Sequence, residues 1–106
     1  MVRLLLICCL AVGFAANAAA YEWNPVQKRM FTEDCEKGCR DNPRVPQGRK
    51  DLCTSYCACV MRDGQEQFSA ADYDEMDDDS RAGRSTPKLK EFTLIFPACN
   101  RKTWGQ

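Results

Sequence analysis

The sequence predicts an all-α domain, a disulfide-stapled antiparallel helical hairpin followed by one or two short C-terminal helices. Three observations lead to this fold class. Two Cys-x-x-x-Cys pairs, Cys35/Cys39 and Cys53/Cys57, are separated by thirteen residues. Apolar side chains around both pairs recur with the 3.6-residue period of an amphipathic helix. The chain also begins like an exported protein, and cysteines in an oxidising compartment form disulfides.

The first twenty residues have the composition of a cleavable signal peptide. Arg3 supplies a basic start, an apolar run follows it, and small side chains allow cleavage after Ala18 or Ala20. Because the apolar run is shorter than the roughly 20 residues of a membrane span, we expect no transmembrane span in the mature chain. Residues 21–106 are then a single Cys-rich helical domain, and we expect a periplasmic or secreted protein.

The composition limits the function of this domain. The chain contains no histidine, which excludes His-based acid/base catalysis, Ser-His and Cys-His nucleophile pairs and the commonest zinc sites. Basic and acidic residues number 15 each, and removal of Arg3 with the leader leaves a net charge of about −1. This charge argues against nucleic-acid binding. We therefore expect a protein that is not an enzyme, without cofactor, metal or nucleic-acid partner.

The first helix is predicted to begin at Asn24-Pro25 and to run to about Cys39 or Arg40. Asparagine is a favoured N-cap residue, and proline suits the first helical position. Cys35 lies four residues before Cys39, so both thiols lie on one face of the helix. A loop rich in proline then leads to the second helix.

The second helix is predicted to run from about Lys50 to Phe68. At about 100° per residue, Cys53 and Cys57 fall within one narrow stripe. Cys59 points about 120° away from Cys53. The second helix is therefore expected to bury two flanks, one against the first helix and one against another part of the protein not yet identified.

Two shorter helices are predicted after the hairpin. Ser69 to Asp72 resembles a capping box that starts a short helix. Thr86 precedes a proline and starts a last helix, which is expected to reach about Phe96 and to end because of Pro97.

The antiparallel hairpin determines how the cysteines pair. Nested pairing suits antiparallel helices, whereas crossed pairing requires parallel helices, which a thirteen-residue connection makes awkward. The two cysteines outside the twin Cys-x-x-x-Cys pairs then pair with each other. The predicted disulfides are Cys35–Cys57, Cys39–Cys53 and Cys59–Cys99.

The cysteine pattern resembles that of small uncharacterised exported proteins of bacteria. These proteins carry a signal peptide, two spaced cysteine pairs, a Tyr-Cys-x-Cys element and a final cysteine near the end. The matching residues are Cys35, Cys39, Cys53, Tyr56-Cys57-Ala58-Cys59 and Cys99. The resemblance implies a periplasmic or secreted helical domain and no known activity. The small Tim proteins of the mitochondrial intermembrane space share the twin motif as local geometry only.

The favoured function is a structural or interaction protein of the cell envelope or exterior, with an unknown protein as partner. Two alternatives stay open. One is a secreted effector resembling hairpin antimicrobial or channel-blocking peptides, which share the twin spacing. The other is an envelope thiol-redox or metal-handling protein, for which Cys57-Ala58-Cys59 is a close pair. Because the predicted disulfides use every cysteine after the leader, they favour neither thiol chemistry nor thiolate metal binding.

Charged clusters and two tryptophans supply further candidate sites. An acidic run fits the calcium-loop template poorly and is interpreted as a solvated helix with its exit loop. Basic residues at the hairpin tip and in the last quarter could contact an anionic membrane surface, although ordinary surface charge or pairing with the acidic run is favoured. Trp23 and Trp104 are expected either to pack together or to be exposed. The acidic run is Asp72, Asp74, Glu75, Asp77, Asp78 and Asp79; the basic residues are Arg40, Arg44, Arg49, Lys50, Arg81, Arg84, Lys88, Lys90, Arg101 and Lys102.

Overall fold

The computed structural model describes residues 22–105, and over this range the chain contains five α-helices, one 3-10 helix and no strand. The prediction of an all-α, disulfide-stapled fold is confirmed. The predicted signal peptide lies outside the described residues. Within residues 22–105 every helix is too short or too polar to span a bilayer. The elements are α1 (Pro25–Asp41), the 3-10 helix (Gln47–Leu52), α2 (Cys53–Gln67), α3 (Ala70–Arg81), α4 (Pro87–Thr93) and α5 (Ile95–Trp104).

Capping hydrogen bonds are present at three of the predicted helix starts. The Asn24 side chain accepts from the Gln27 backbone N–H at 2.8 Å, and the Gln27 side chain accepts from the Asn24 N–H at 3.0 Å. Ser69 and Asp72 form the same reciprocal capping box at the start of α3, at 3.1 and 3.0 Å. Thr86 caps α4 through its hydroxyl. Each cap satisfies backbone donors that a helix start leaves unpaired.

Three disulfides hold the helices with the pairing that the hairpin predicts. Two of them join α1 to α2, at Cα–Cα distances of 5.9 and 5.8 Å. The third joins α2 to α5 at a Cα–Cα distance of 5.8 Å. Neither α3 nor α4 contains a cysteine, so these two helices are held by noncovalent contacts alone. The bonds are Cys35–Cys57, Cys39–Cys53 and Cys59–Cys99.

The last predicted helix is in fact two helices, and the prediction that Pro97 ends it is wrong. The helix that starts after Thr86 breaks at Leu94, and a new helix runs through Ile95–Trp104. Pro97 is the third residue of this new helix. Its missing N–H costs nothing there, because the first-turn N–H groups have no intrahelical partner.

Trp23 lies at the centre of the larger core. It is 1% exposed, and its ring lies 4.8 Å from Tyr73 and 5.7 Å from Phe31, measured between centroids. Trp104 is half-buried, with its ring centroid 4.9 Å from that of Tyr56. The expectation that the two tryptophans pack together or are exposed is therefore wrong. Trp23 precedes α1 and is enclosed by helices that follow much later in the chain.

Gln27 fixes the position of α3 beside α1. Its side chain is only 4% exposed. The amide nitrogen donates to the Ala70 carbonyl and to the Asp74 carboxylate, both at 2.9 Å. Because a buried amide needs its hydrogen-bond partners, this contact defines where α3 begins against the first turn of α1.

Candidate functional site

A groove of about 500 Å³ is lined by residues from all five α-helices and the connector between α1 and α2. This volume lies within the range of about 300–1,000 Å³ that is typical of small-molecule sites. Six of its seventeen lining residues are aromatic, and we call this feature the aromatic groove. Its aromatic residues are Phe31, Tyr56, Tyr73, Phe92, Phe96 and Trp104.

Five of these rings form a continuous series of contacts. Phe92 lies 6.2 Å from Phe31 and 5.5 Å from Phe96, between ring centroids, and both pairs meet edge to face. Tyr56 continues the series, at 6.5 Å from Phe96 and 4.9 Å from Trp104. Edge-to-face pairs are favoured arrangements of aromatic rings. The groove therefore offers π faces and ring edges in a fixed arrangement.

Two carboxylates, Asp34 on α1 and Asp77 on α3, are the charged groups in the lining of the groove over residues 22–105. Arg81 contacts both from outside the lining. Its Nε lies 3.0 Å from the Asp77 carboxylate and its Nη2 lies 3.9 Å from that of Asp34. The Asp34 side chain is 73% exposed and that of Asp77 is 29% exposed. Two acids face one base here, so the groove entrance has an excess of negative charge.

The environment of the groove affects two tyrosines. Burial raises the pKa of Tyr56, because a phenolate loses hydration there. Burial also raises the pKa of Tyr73, and the nearby carboxylates of Asp77 and Asp34 raise it further. The side-chain N–H of Trp104 is buried without a hydrogen-bond partner in the described part of the chain. The groove thus contains two partly desolvated tyrosines, with carboxylates close to Tyr73.

Comparison with known proteins finds no match. No protein-family model, curated protein or solved structure matches this chain.

The cysteines that sequence reasoning weighed as redox or metal sites are bound in disulfides. The sulfurs of Cys59 and Cys99 lie 3.9 and 3.5 Å from the Asp63 carboxylate, and the three possible ligand atoms lie within 4.8 Å of one another. The two sulfurs are bonded to each other, so neither is a thiolate, the form that binds metals. Lys102 pairs with Asp63 at 3.3 Å. This cluster is a buried structural disulfide with a neighbouring ion pair.

The acidic run is largely engaged in contacts within the domain. Lys88 lies 2.7 Å from both Asp72 and Glu75, and Arg84 lies 2.9 Å from Asp79. The hydrogen bond from Lys88 lowers the pKa of Asp72, and hydrogen bonds to the two acids raise the pKa of Lys88. These contacts match the expected pairing of the acidic run with basic residues of the last quarter. They use carboxylate oxygens that a calcium loop would require.

Two of the four basic residues at the hairpin tip, Arg40 and Lys50, make contacts within the domain. Lys50 donates to the backbone carbonyls of Arg40 and Asn42, where α1 ends. Unpaired carbonyls at a helix C-terminus favour a cation. Arg40 pairs with Glu36 at 3.0 Å. Arg44 and Arg49 are exposed and remain the part of the tip that could face a partner.

Sequence reasoning missed the aromatic groove as a site. It placed Phe92 and Phe96 on the last predicted helix, but it did not relate them to Phe31 or Tyr73. The available signal was the presence of aromatic residues in each of the four predicted helices. That signal does not say whether the rings close over one another or leave space between them.

Proposed function

We propose that this chain is an exported, non-enzymatic binding protein and that the aromatic groove is its ligand site. The observation that carries the proposal is the groove itself, about 500 Å³ in volume and lined by six aromatic residues. The three disulfides support it, because they hold α1, α2 and α5 in place before any ligand arrives. A preorganised site loses less conformational entropy on binding.

The energetics of a small domain support a binding role for the groove. Complete burial of a large apolar side chain contributes about 1.5–3 kcal/mol to folding. A domain of this size buries little surface and depends on each such contribution. An open aromatic groove leaves its rings incompletely buried, so the domain is less stable than it would be with the groove closed. A binding role for the groove accounts for this loss of stability.

The export signal and the disulfides support a periplasmic or secreted location. Disulfides persist in oxidising compartments, and the leader composition predicts export. We place the chain, as part of the same proposal, among the small exported bacterial proteins that share its Tyr56-Cys57-Ala58-Cys59 element.

Titration with a neutral apolar fluorophore tests the proposal. N-phenyl-1-naphthylamine brightens in apolar surroundings, and we expect saturable binding of one probe per oxidised chain. Gly38 lines the groove, and a Cβ placed there has no atom within 4 Å. Gly38→Phe should therefore fill the groove and weaken probe binding by at least about tenfold, since each lost apolar contact weakens binding.

Gly48→Phe is the matched control. Gly48 lies in the 3-10 helix, outside the groove lining, and a Cβ there also meets open space. Probe affinity should stay unchanged in this variant. Circular dichroism and a count of free thiols verify that both variants fold. Absence of saturable binding, or an equal loss in both variants, would contradict the proposed function.

A further inference from the structure

The charge of the groove lining is one-sided. Asp34 and Asp77 contribute carboxylates, while no lysine or arginine among residues 22–105 lines the groove. Arg81 neutralises part of this charge from outside, and its side chain is 60% exposed. One negative charge therefore remains beside a set of aromatic rings.

We propose that the natural ligand is a small amphiphilic cation, with an apolar body and one ammonium-type head group. This inference rests on the proposed function. The apolar body lies among the aromatic rings, and the head group lies beside Asp34 and Asp77. Aromatic faces attract cations through the ring quadrupole, so the rings and the carboxylates favour the same charge. An anionic head group would be repelled by both.

Arg81 is the internal competitor for the ligand head group. Its guanidinium contacts both carboxylates, with its Nε 3.0 Å from Asp77 and its Nη2 3.9 Å from Asp34. Because the Arg81 and Asp34 side chains are mainly exposed, their ion pair is worth little in water. A cation held by aromatic rings displaces the guanidinium from Asp34 at small cost. Ligand binding is thus coupled to release of the contact between α1 and the end of α3.

Three decyl compounds that differ in head group test the charge preference. Decyltrimethylammonium, decanol and decanoate compete with bound N-phenyl-1-naphthylamine, each below its micelle concentration. We expect the cation to displace the probe at about tenfold lower concentration than the alcohol. The anion should be the weakest competitor of the three.

Charge variants assign the preference to named groups. Asp34→Asn and Asp77→Asn should each reduce the advantage of the cation over the alcohol. Asp78→Asn is the control, because Asp78 is on the same helix, has the same charge and does not line the groove. Arg81→Gln should increase the advantage, whereas Arg101→Gln, which removes the same charge from α5, should leave it unchanged.

The outcomes separate this inference from the proposed function. Equal competition by all three decyl compounds overturns the cation preference and leaves the groove as an apolar site. An equal effect of Asp77→Asn and Asp78→Asn also overturns it, since general charge would then explain the result. Failure of the probe itself to bind overturns the proposed function. If Asp77→Asn misfolds, Asp34→Asn still tests the inference. The Asp34 side chain is mostly exposed, so its substitution should leave the fold intact.

Discussion

The indole N–H of Trp23 donates to the backbone carbonyl oxygen of Phe68 across 3.0 Å, within the buried core. This bond joins a residue two positions before α1 to the residue that follows α2. Trp23→Phe removes the donor and leaves a buried carbonyl unpaired, so we expect a loss of about 1–3 kcal/mol in the free energy of unfolding. Urea denaturation measures the change.

Trp104→Phe is the matched comparison for that substitution. The Trp104 N–H is buried without a partner in the described part of the chain, so its removal costs no hydrogen bond. We expect the smaller loss of stability at this position. Equal losses at Trp23 and Trp104 would show that ring volume, and not the hydrogen bond to Phe68, determines the effect.

Gly64 is required where α2 meets the core. A Cβ at this position would lie 3.1 Å from both Phe92 and Trp23. Overpacking of this kind costs about 1–3 kcal/mol, which exceeds the gain of about 1 kcal/mol in helix propensity. We expect Gly64→Ala to lower the melting temperature.

Gly38→Ala provides the control within α1. No atom lies within 4 Å of its added Cβ, so the propensity gain of up to about 1 kcal/mol should be realised. The two substitutions should thus shift the melting temperature in opposite directions. A rise for Gly64→Ala would contradict the packing described for the core.

The three disulfides should differ in how much they stabilise the domain. Cys59–Cys99 spans 40 residues of sequence, whereas Cys39–Cys53 spans 14. Restriction of the unfolded chain predicts about 4 kcal/mol for the longer loop and about 3 kcal/mol for the shorter one. Paired Cys→Ala variants, compared by urea denaturation, measure both values. A larger loss for the shorter loop would contradict this order.

Lys88 should contribute to stability in a window of pH. Its hydrogen bonds to Asp72 and Glu75 raise its pKa, and the pKa of Asp72 is lowered in return. Because its pKa is lowered, Asp72 contributes fully to folding stability above about pH 4. This contribution is lost as the pH falls through the pKa of Asp72 in the folded protein. The raised pKa makes the Lys88 contribution complete below about pH 10 and lost as the pH rises further.

Lys88→Gln tests that window. At pH 7 we expect only a small loss of stability, because the pair is substantially exposed. The difference from the parent chain should shrink as the pH falls below about 4. Lys90→Gln is the control, since Lys90 is exposed and makes no ion pair among residues 22–105. A pH-independent difference for Lys88→Gln would argue against the ion pair.

The hairpin could be predicted because its signals are local. Helix caps such as Asn24 and Ser69 act within three residues, and the nested cysteine pairing follows from antiparallel geometry alone. Pro97 misled the prediction because proline both ends helices and fits their first turn. Because the helix breaks at Leu94, Pro97 falls in the first turn of a new helix. No strong helix-breaking residue in the sequence marks this break.

The aromatic groove could not be predicted because long-range contacts create it. The position of α3 depends on hydrogen bonds from Gln27 to residues 43 and 47 positions away. A glutamine in the first turn of a helix gives no sign of such partners. Likewise, Trp23 looks like an end residue in the sequence and becomes central only when the later helices pack around it.

The absence of cysteine from α3 has a consequence for motion. The disulfides make α1, α2 and α5 one covalent unit, while noncovalent contacts hold α3, among them those of Gln27 at its start, Tyr73 in the core and Arg81 at its end. Backbone amides of α3 should therefore exchange with deuterium through a local opening that leaves the covalent unit folded. A ligand in the groove would slow that exchange, because α3 forms one side of the groove. Hydrogen exchange of the α3 amides would therefore also detect ligand binding.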